Sequence, residues 1–136
     1  MDFSLNETQR EIVEMAARFA QKEIAPHIEE DEANAHFRKE LFAKAGEAGL
    51  LGLTTPEADG GLGLGTLEYS LFLEQLAIVS SGYATSISVT GLPISILNAG
   101  GSPALKEKYL PGLLSGAHIG AFALTEPASG SDAGSL

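Results

Sequence analysis

Ala123-Leu124-Thr125-Glu126-Pro127-Ala128-Ser129-Gly130-Ser131-Asp132-Ala133-Gly134-Ser135 are the residues that say most about this chain. Physically they are the end of a strand running into a Gly/Ser loop. Gly130 permits positive φ and close approach of a ligand to the backbone. Thr125, Ser129 and Ser131 offer hydroxyls that both donate and accept hydrogen bonds. Glu126 and Asp132 would repel a phosphate that they faced, so anion contact has to come from N–H groups and hydroxyls. A plain turn has the same composition, and composition alone does not separate the two.

Upstream of this loop, residues 117–125 carry no helix-cap signal and alternate in character. Phe122 and Leu124 fall on one face, Ile119, Ala121 and Ala123 on the other, which predicts a strand. A single strand has no partner for its backbone groups, so more chain is expected beyond it. What precedes it reads mainly as helices joined by short connections. Ser102-Pro103 is an N-cap followed by Pro at the first helical position, opening a helix that turns Leu105, Tyr109 and Leu113 inward and ends at Gly116. Residues 83–100 mix Ile87, Val89, Leu92, Ile94, Ile96 and Leu97 with Ser86, Ser88, Thr90, Gly91 and Ser95. Their alternation would suit a strand, but their length favours a helix. Residues 67–79 carry apolar side chains around much of the circumference, the pattern of a buried helix.

Nearer the start, Ile12, Ala16, Phe19, Ala20 and Ile24 recur at steps of three and four over residues 6–25. Asn6 serves as N-cap with Gln9 three positions on, and Pro26 breaks or kinks the helix. Glu29-Glu30-Asp31-Glu32 reads as a solvated helical face. A second helix over 38–48 places Leu41, Phe42, Ala45 and Ala48 on one face, with Gly49 as the residue past its end. Residues 54–65 include Gly60-Gly61-Leu62-Gly63-Leu64-Gly65 but no Gly-Lys-Ser/Thr, and no strand precedes them. They are read as a tight connection and not as a phosphate loop.

The totals exclude several classes. The 136 residues suit one domain, and 44% are apolar, enough for a core. A formal charge of −10 argues against nucleic acid and anionic membrane partners. Without cysteine there is no disulfide framework. The first residues, Met1-Asp2-Phe3-Ser4, carry neither a basic nor an apolar leader segment, and no run could span a bilayer, so a cytoplasmic protein is expected. His27, His36 and His118 have no metal-ligand spacing and read as ordinary polar residues, and no Gly-x-Ser-x-Gly elbow is present.

Leu124, Thr125, Glu126, Ser129, Gly130, Ser131, Asp132 and Ser135 resemble the signature of the acyl-CoA dehydrogenase family. That signature is an aliphatic residue, Ser or Thr, Glu, two variable positions, a small residue, Gly, Ser or Thr, Asp, and a small residue three further on. Phe3-x-Leu5-x-Glu7 and the run from Gly49-Leu50-Leu51-Gly52 through Pro56 to Gly60-Gly61-Leu62-Gly63 are similar to other landmarks of the family. The nearest likeness is to its short-chain and branched short-chain members.

The resemblance implies an all-α N-terminal domain of five or six helices over residues 1–116, then the first strand and signature loop of a β domain over 117–136. It implies FAD as cofactor and an acyl-CoA thioester as substrate, oxidised to the trans-2-enoyl-CoA, with electron-transferring flavoprotein as acceptor. The α-proton goes to a carboxylate base and the β-hydride to flavin N5. By position, Phe122, Leu124, Thr125, Gly130 and Ser131 are expected to face FAD, with Ser131 also near the thioester. Ala84, Thr85, Ser88 and Leu92 are expected to border the acyl chain, although tight helix packing would equally explain small residues there. No catalytic residue and no metal ligand is expected in this segment: the base belongs to a C-terminal helical bundle, and Glu126 is part of the signature. The chain alone is therefore expected to be inactive and to bind FAD weakly or not at all, and the full-length protein to form a homotetramer. The same domain would also suit an acyl-CoA oxidase or a related flavin monooxygenase, or a non-catalytic helical domain working through protein contacts and marked by an exposed apolar face.

Overall fold

The computed structural model describes residues 4–135, so Phe3 of the opening landmark lies outside the described residues. Six α-helices are found among those described: α1 Glu7–Phe19, α2 Ile28–Asn34, α3 Glu40–Glu47, α4 Thr66–Val79, α5 Ser81–Gly100 and α6 Pro103–Leu114. The expected helical architecture is borne out.

The helix starts follow from local chemistry. The Asn6 side chain accepts from the Gln9 N–H at 2.8 Å, and the Gln9 side chain accepts from the Asn6 N–H at 3.0 Å, a reciprocal cap on α1. Gln9 also donates to Glu68 at 2.8 Å, and the other Glu68 oxygen accepts from the Gly65 N–H at 3.0 Å. The beginnings of α1 and α4 are thus tied by one side-chain chain. Ser102 caps α6 through the Leu105 N–H, as expected. α1 does not stop abruptly at Pro26. It passes through a wide π turn, Ala20–Ile24, and a tight 3-10 turn, Ala25–His27, before α2 begins. Proline cannot donate to the helix ladder, and irregular turns on either side of that gap accommodate it.

Ile12, Ala16, Phe19, Ala20 and Ile24 form one wall of the core against Leu41, Phe42, Ala45, Leu50, Leu53, Phe72, Leu76, Tyr83 and Ile87. A smaller cluster of Ile94, Leu110 and Leu113 lies between α5 and α6. α4 packs on α1 and on α5, and α5 packs on α6. Ser80 alone joins α4 to α5: it ends the first, and its hydroxyl accepts from the Tyr83 N–H at the start of the second.

Three sequence expectations are corrected. α4 is not buried all round: α1, the π turn Ala20–Ile24 and α5 pack on it and bury Phe72 and Leu76, while Leu67 and Ile78 face solvent. α6 turns Leu110 and Leu113 inward, leaving Leu105 and Tyr109 exposed. Residues 117–125 form no strand. They run past α5 without a ladder, Gly120 packing on Pro93 and its carbonyl accepting from Thr90 at 3.5 Å. No second strand lies alongside among the described residues, so the alternating pattern has nothing to pair with.

The Gly-rich connection is a backbone clamp. Leu62 N–H donates to the Gly52 carbonyl at 3.0 Å, Gly63 N–H to Thr55 at 2.8 Å and Leu64 N–H to Leu53 at 2.8 Å. A Cβ on Gly61 would collide with the Thr55 carbonyl and side chain, so this crossing needs glycine. No helix is long and apolar enough to cross a membrane among the described residues.

Candidate functional site

The signature loop is shaped by its own hydrogen bonds. Glu126 and Ser129 exchange backbone bonds, Glu126 N–H to Ser129 carbonyl at 2.8 Å and Ser129 N–H to Glu126 carbonyl at 3.1 Å, turning the chain over Pro127-Ala128. The buried Ser129 hydroxyl donates to the Asp132 carbonyl at 2.7 Å, and the Ser135 hydroxyl to the Asp132 carboxylate at 2.6 Å. Glu126, Ser129 and Asp132 are therefore the residues that make the turn. A Cβ on Gly130 would lie 3.6 Å from the Thr125 methyl, so the turn brings Thr125 and Gly130 side by side.

The expected cofactor residues stand apart from that network. Among the described residues, no hydrogen bond is made by the hydroxyls of Thr125 or Ser131, and both residues are exposed. Phe122 is 45% exposed and Leu124 36%. Two free hydroxyls, an open backbone at Gly130 and two bare apolar side chains match a flat, partly polar ring system.

The expected substrate residues lie along the seam between α4 and α5. Ala84, Thr85 and Ser88 line a cavity of about 370 Å³ with Ser70, Leu73, Ala77 and Val89. Ser88 and Leu92 also line a second cavity of about 250 Å³ with Thr66, Tyr69 and Gly91. The seam carries no cationic side chain, and its one charged lining residue is Glu74. Ala84 is buried, whereas Thr85 and Leu92 are exposed. The two sets of expected residues are not in direct hydrogen bond with each other. Their bridge is Thr90 on α5, through its bond to Gly120.

The strongest electrostatic feature was not legible in the sequence. Asp31, read there as part of a solvated acidic face, is 5% exposed. It accepts from Arg38 through both oxygens, at 2.6 and 3.1 Å, and from the Tyr83 hydroxyl at 2.7 Å. His36 Nδ1 lies 3.2 Å from the same carboxylate. Arg38 holds the Asp31 carboxyl well below the usual carboxylate range, with help from Tyr83. Burial first, then the neighbouring carboxylate, pushes the Tyr83 hydroxyl up to about 12. Each donor is matched to an acceptor, so this is a cross-link between α2, the following loop and α5. Among the described residues no group of three or more His, Cys, Asp or Glu is placed to hold a metal.

A family model described as "Acyl-CoA dehydrogenase, N-terminal domain" matches residues 6–117. The chain is 42% identical to isovaleryl-CoA dehydrogenase, mitochondrial, of Oryza sativa subsp. japonica, over 96% of this chain and 33% of that protein. A chain from a structure described as electron transferring flavoprotein of Acidaminococcus fermentans superposes with a TM-score of 0.90 at 42% identity, covering 98% of this chain and 35% of that one. A glutaryl-CoA dehydrogenase from Mycobacterium smegmatis in complex with FADH2 superposes with a TM-score of 0.88 at 30% identity, covering 97% and 34%. The chain spans about a third of the length of the curated relatives it matches.

Proposed function

The chain belongs to the acyl-CoA dehydrogenase family, as its N-terminal domain, and on that premise we propose that the protein carrying it is an FAD-dependent acyl-CoA dehydrogenase. It oxidises an acyl-CoA thioester to the trans-2-enoyl-CoA and passes electrons to an electron-transferring flavoprotein. Residues 1–116 are the helical domain, and 117–136 open a β domain that, with further chain and neighbouring subunits of a homotetramer, completes the site.

The observation that supports this reading best is the preorganised loop 124–131, where free Thr125 and Ser131 hydroxyls flank an open Gly130. Thr125 and Ser131 would hold the polar edge of the isoalloxazine, Phe122 and Leu124 would cover its apolar face and keep water away, and Ser131 would also steady the thioester end. The chemistry that bound FAD supplies is acceptance of the β-hydride at N5. Removal of the α-proton falls to a carboxylate outside this chain. Ala84, Thr85, Ser88 and Leu92 would border the acyl group, and a seam without cations suits an acyl group with no terminal carboxylate.

The test is anaerobic titration of the natively purified full-length protein with a panel of acyl-CoA thioesters. Flavin absorbance bleached by a neutral acyl-CoA, with turnover through electron-transferring flavoprotein exceeding that through oxygen, supports the reading. A flavin that no acyl-CoA reduces overturns it, and oxygen as the faster acceptor assigns an oxidase instead.

A further inference from the structure

The run from α6 to the signature loop is held on α5 at Gly120. Among the described residues, 119–125 make a single hydrogen bond, from the Thr90 hydroxyl to the Gly120 carbonyl at 3.5 Å. Gly120 lies in a notch formed by Thr90 and Pro93 of α5 and Leu113 of α6. A Cβ on Gly120 would collide with the Pro93 ring, and would stand 3.3 Å from the Thr90 carbonyl and 3.4 Å from the Leu113 side chain. A proline ring cannot swing aside as a long side chain can, so the notch admits bare backbone and nothing larger. Thr90 and Leu113 are both buried, so the floor of the notch is continuous with the core.

Pro93 is costly where it stands. It lies inside α5, brings no N–H to the helix ladder and leaves the Val89 carbonyl without that donor. What its ring does there is hold Gly120. α5 therefore serves two sides. Ala84, Ser88 and Leu92 recur at four-residue steps along the groove between α4 and α5, while Thr90 and Pro93, three residues apart, share the side that meets Gly120. Leu92 in the groove and Pro93 in the notch are consecutive. Phe122 is two residues past Gly120, within about 7 Å of it along even a fully extended chain. The loop that follows is braced by its own bonds at Glu126, Ser129 and Asp132, so it moves with the run that carries it.

We propose that Pro93 and Gly120 are positioning residues for the flavin: their contact sets the segment of Phe122, Leu124 and Thr125 against the helix that borders the acyl group, and so fixes where the flavin lies relative to that group. This rests on the acyl-CoA dehydrogenase reading above. Both residues act through the segment they seat.

The experiment compares full-length wild-type protein with Gly120→Ala, Pro93→Ala and the double variant. Each apoprotein is titrated with FAD, and flavin reduction is then followed with butyryl-CoA or isovaleryl-CoA, whichever reduces wild type faster. Gly120→Ala lifts the segment off α5. It is expected to weaken FAD binding and to slow flavin reduction at saturation by about tenfold or more each, the scale of a misplacement of about an ångström, with KM for the acyl-CoA within about twofold of wild type. Pro93→Ala restores the ladder donor, so it is expected to resist denaturant at least as well as wild type, yet to weaken FAD binding by about threefold or more because the segment is left loose. A purely structural role would not move stability and flavin binding in opposite directions. In the double variant the alanine methyl occupies the space of the missing ring, and both readouts are expected to return to within about threefold of wild type. If Gly120→Ala does not fold, Pro93→Ala carries the test. Wild-type FAD affinity and reduction rate in folded Gly120→Ala, or wild-type FAD affinity in Pro93→Ala, overturns the proposal and leaves the dehydrogenase reading intact. So does a double variant as impaired as Gly120→Ala. A wild-type flavin that no acyl-CoA of the panel reduces overturns both.

Discussion

The Tyr83 hydroxyl donates to the Asp31 carboxylate across 2.7 Å, joining α2 to the first turn of α5 over a sequence separation of 52 residues. Arg38 grips the same carboxylate, and its backbone N–H donates to the Tyr83 oxygen at 3.3 Å, so the three residues close a ring of bonds. Ala84, one residue on, is the first of the residues proposed to border the acyl group. The cross-link therefore fixes the end of α5 from which the groove begins.

Tyr83→Phe removes a hydrogen bond to a charged group and is expected to cost about 1.5–3 kcal/mol of stability, read from denaturant unfolding. Asp31→Asn is expected to cost more, because it leaves Arg38 without its counter-charge. Equal stability of wild type and Tyr83→Phe would show the bond to be immaterial.

The same ring sets a pH dependence. The folded-state pKa of Asp31 is depressed, so its contribution is complete above the unfolded value of about 3.9 and is lost as pH falls from there towards the lower folded value. Tyr83 is shifted the other way: its contribution is complete below the unfolded value near 10 and is lost as pH rises towards about 12. Thermal melts across these ranges are expected to show falling Tm at both ends, with the acid limb flattened in Asp31→Asn.

Gly116 has φ +71°, and a Cβ there would strike the Phe42 carbonyl on α3. Gly116→Ala meets strain and a backbone collision together and is expected to lose about 3 kcal/mol or more. A denaturation midpoint near wild type would mean that α3 moves aside freely.

Gly91→Ala brings its methyl against the Tyr69 hydroxyl, and Tyr69→Phe removes the atom it meets. The double variant is expected to recover at least about 0.5 kcal/mol relative to the sum of the singles, as contacting residues do in a double-mutant cycle. Strict additivity would place the two side chains apart.

In the full-length protein, Thr125→Val and Ser131→Ala each delete one hydroxyl proposed to meet the flavin. Each is expected to weaken FAD binding by about 1 kcal/mol, roughly fivefold in Kd, with little change in the loop, whose bonds run through Glu126, Ser129 and Asp132. The 136-residue chain alone is expected to hold FAD well below one equivalent, measured by absorbance after gel filtration.

Much of the fold is written locally. The Asn6–Gln9 box, the Ser102-Pro103 start and the apolar steps from Ile12 to Ile24 each act within a turn or two, and the sequence shows them directly. Asp31 is the opposite case: its burial depends on Arg38 and on Tyr83, and nothing in Glu29-Glu30-Asp31-Glu32 distinguishes it from its neighbours. The exposed Leu67, Ile78, Leu105 and Tyr109 were misread for a related reason, since helix periodicity shows which side chains share a face but not how many neighbours cover it. At the candidate site, Ala84, Thr85, Ser88 and Leu92 follow from the family resemblance and not from their character, which tight helix packing explains equally well. The place of Tyr69 opposite Gly91 was not legible, because it depends on how α4 and α5 align.

The unladdered run before the signature loop bears on how this chain behaves in a test tube. Residues 121–125 make no backbone hydrogen bonds among the described residues, and Ile119, Phe122 and Leu124 are bare beside them. Such a strip is a template on which one molecule can zip to the next. A formal charge of −10 holds copies apart at low ionic strength. At molar salt, where screening shortens to about 3 Å, that protection disappears, and the isolated chain is expected to cloud and precipitate through this strip first.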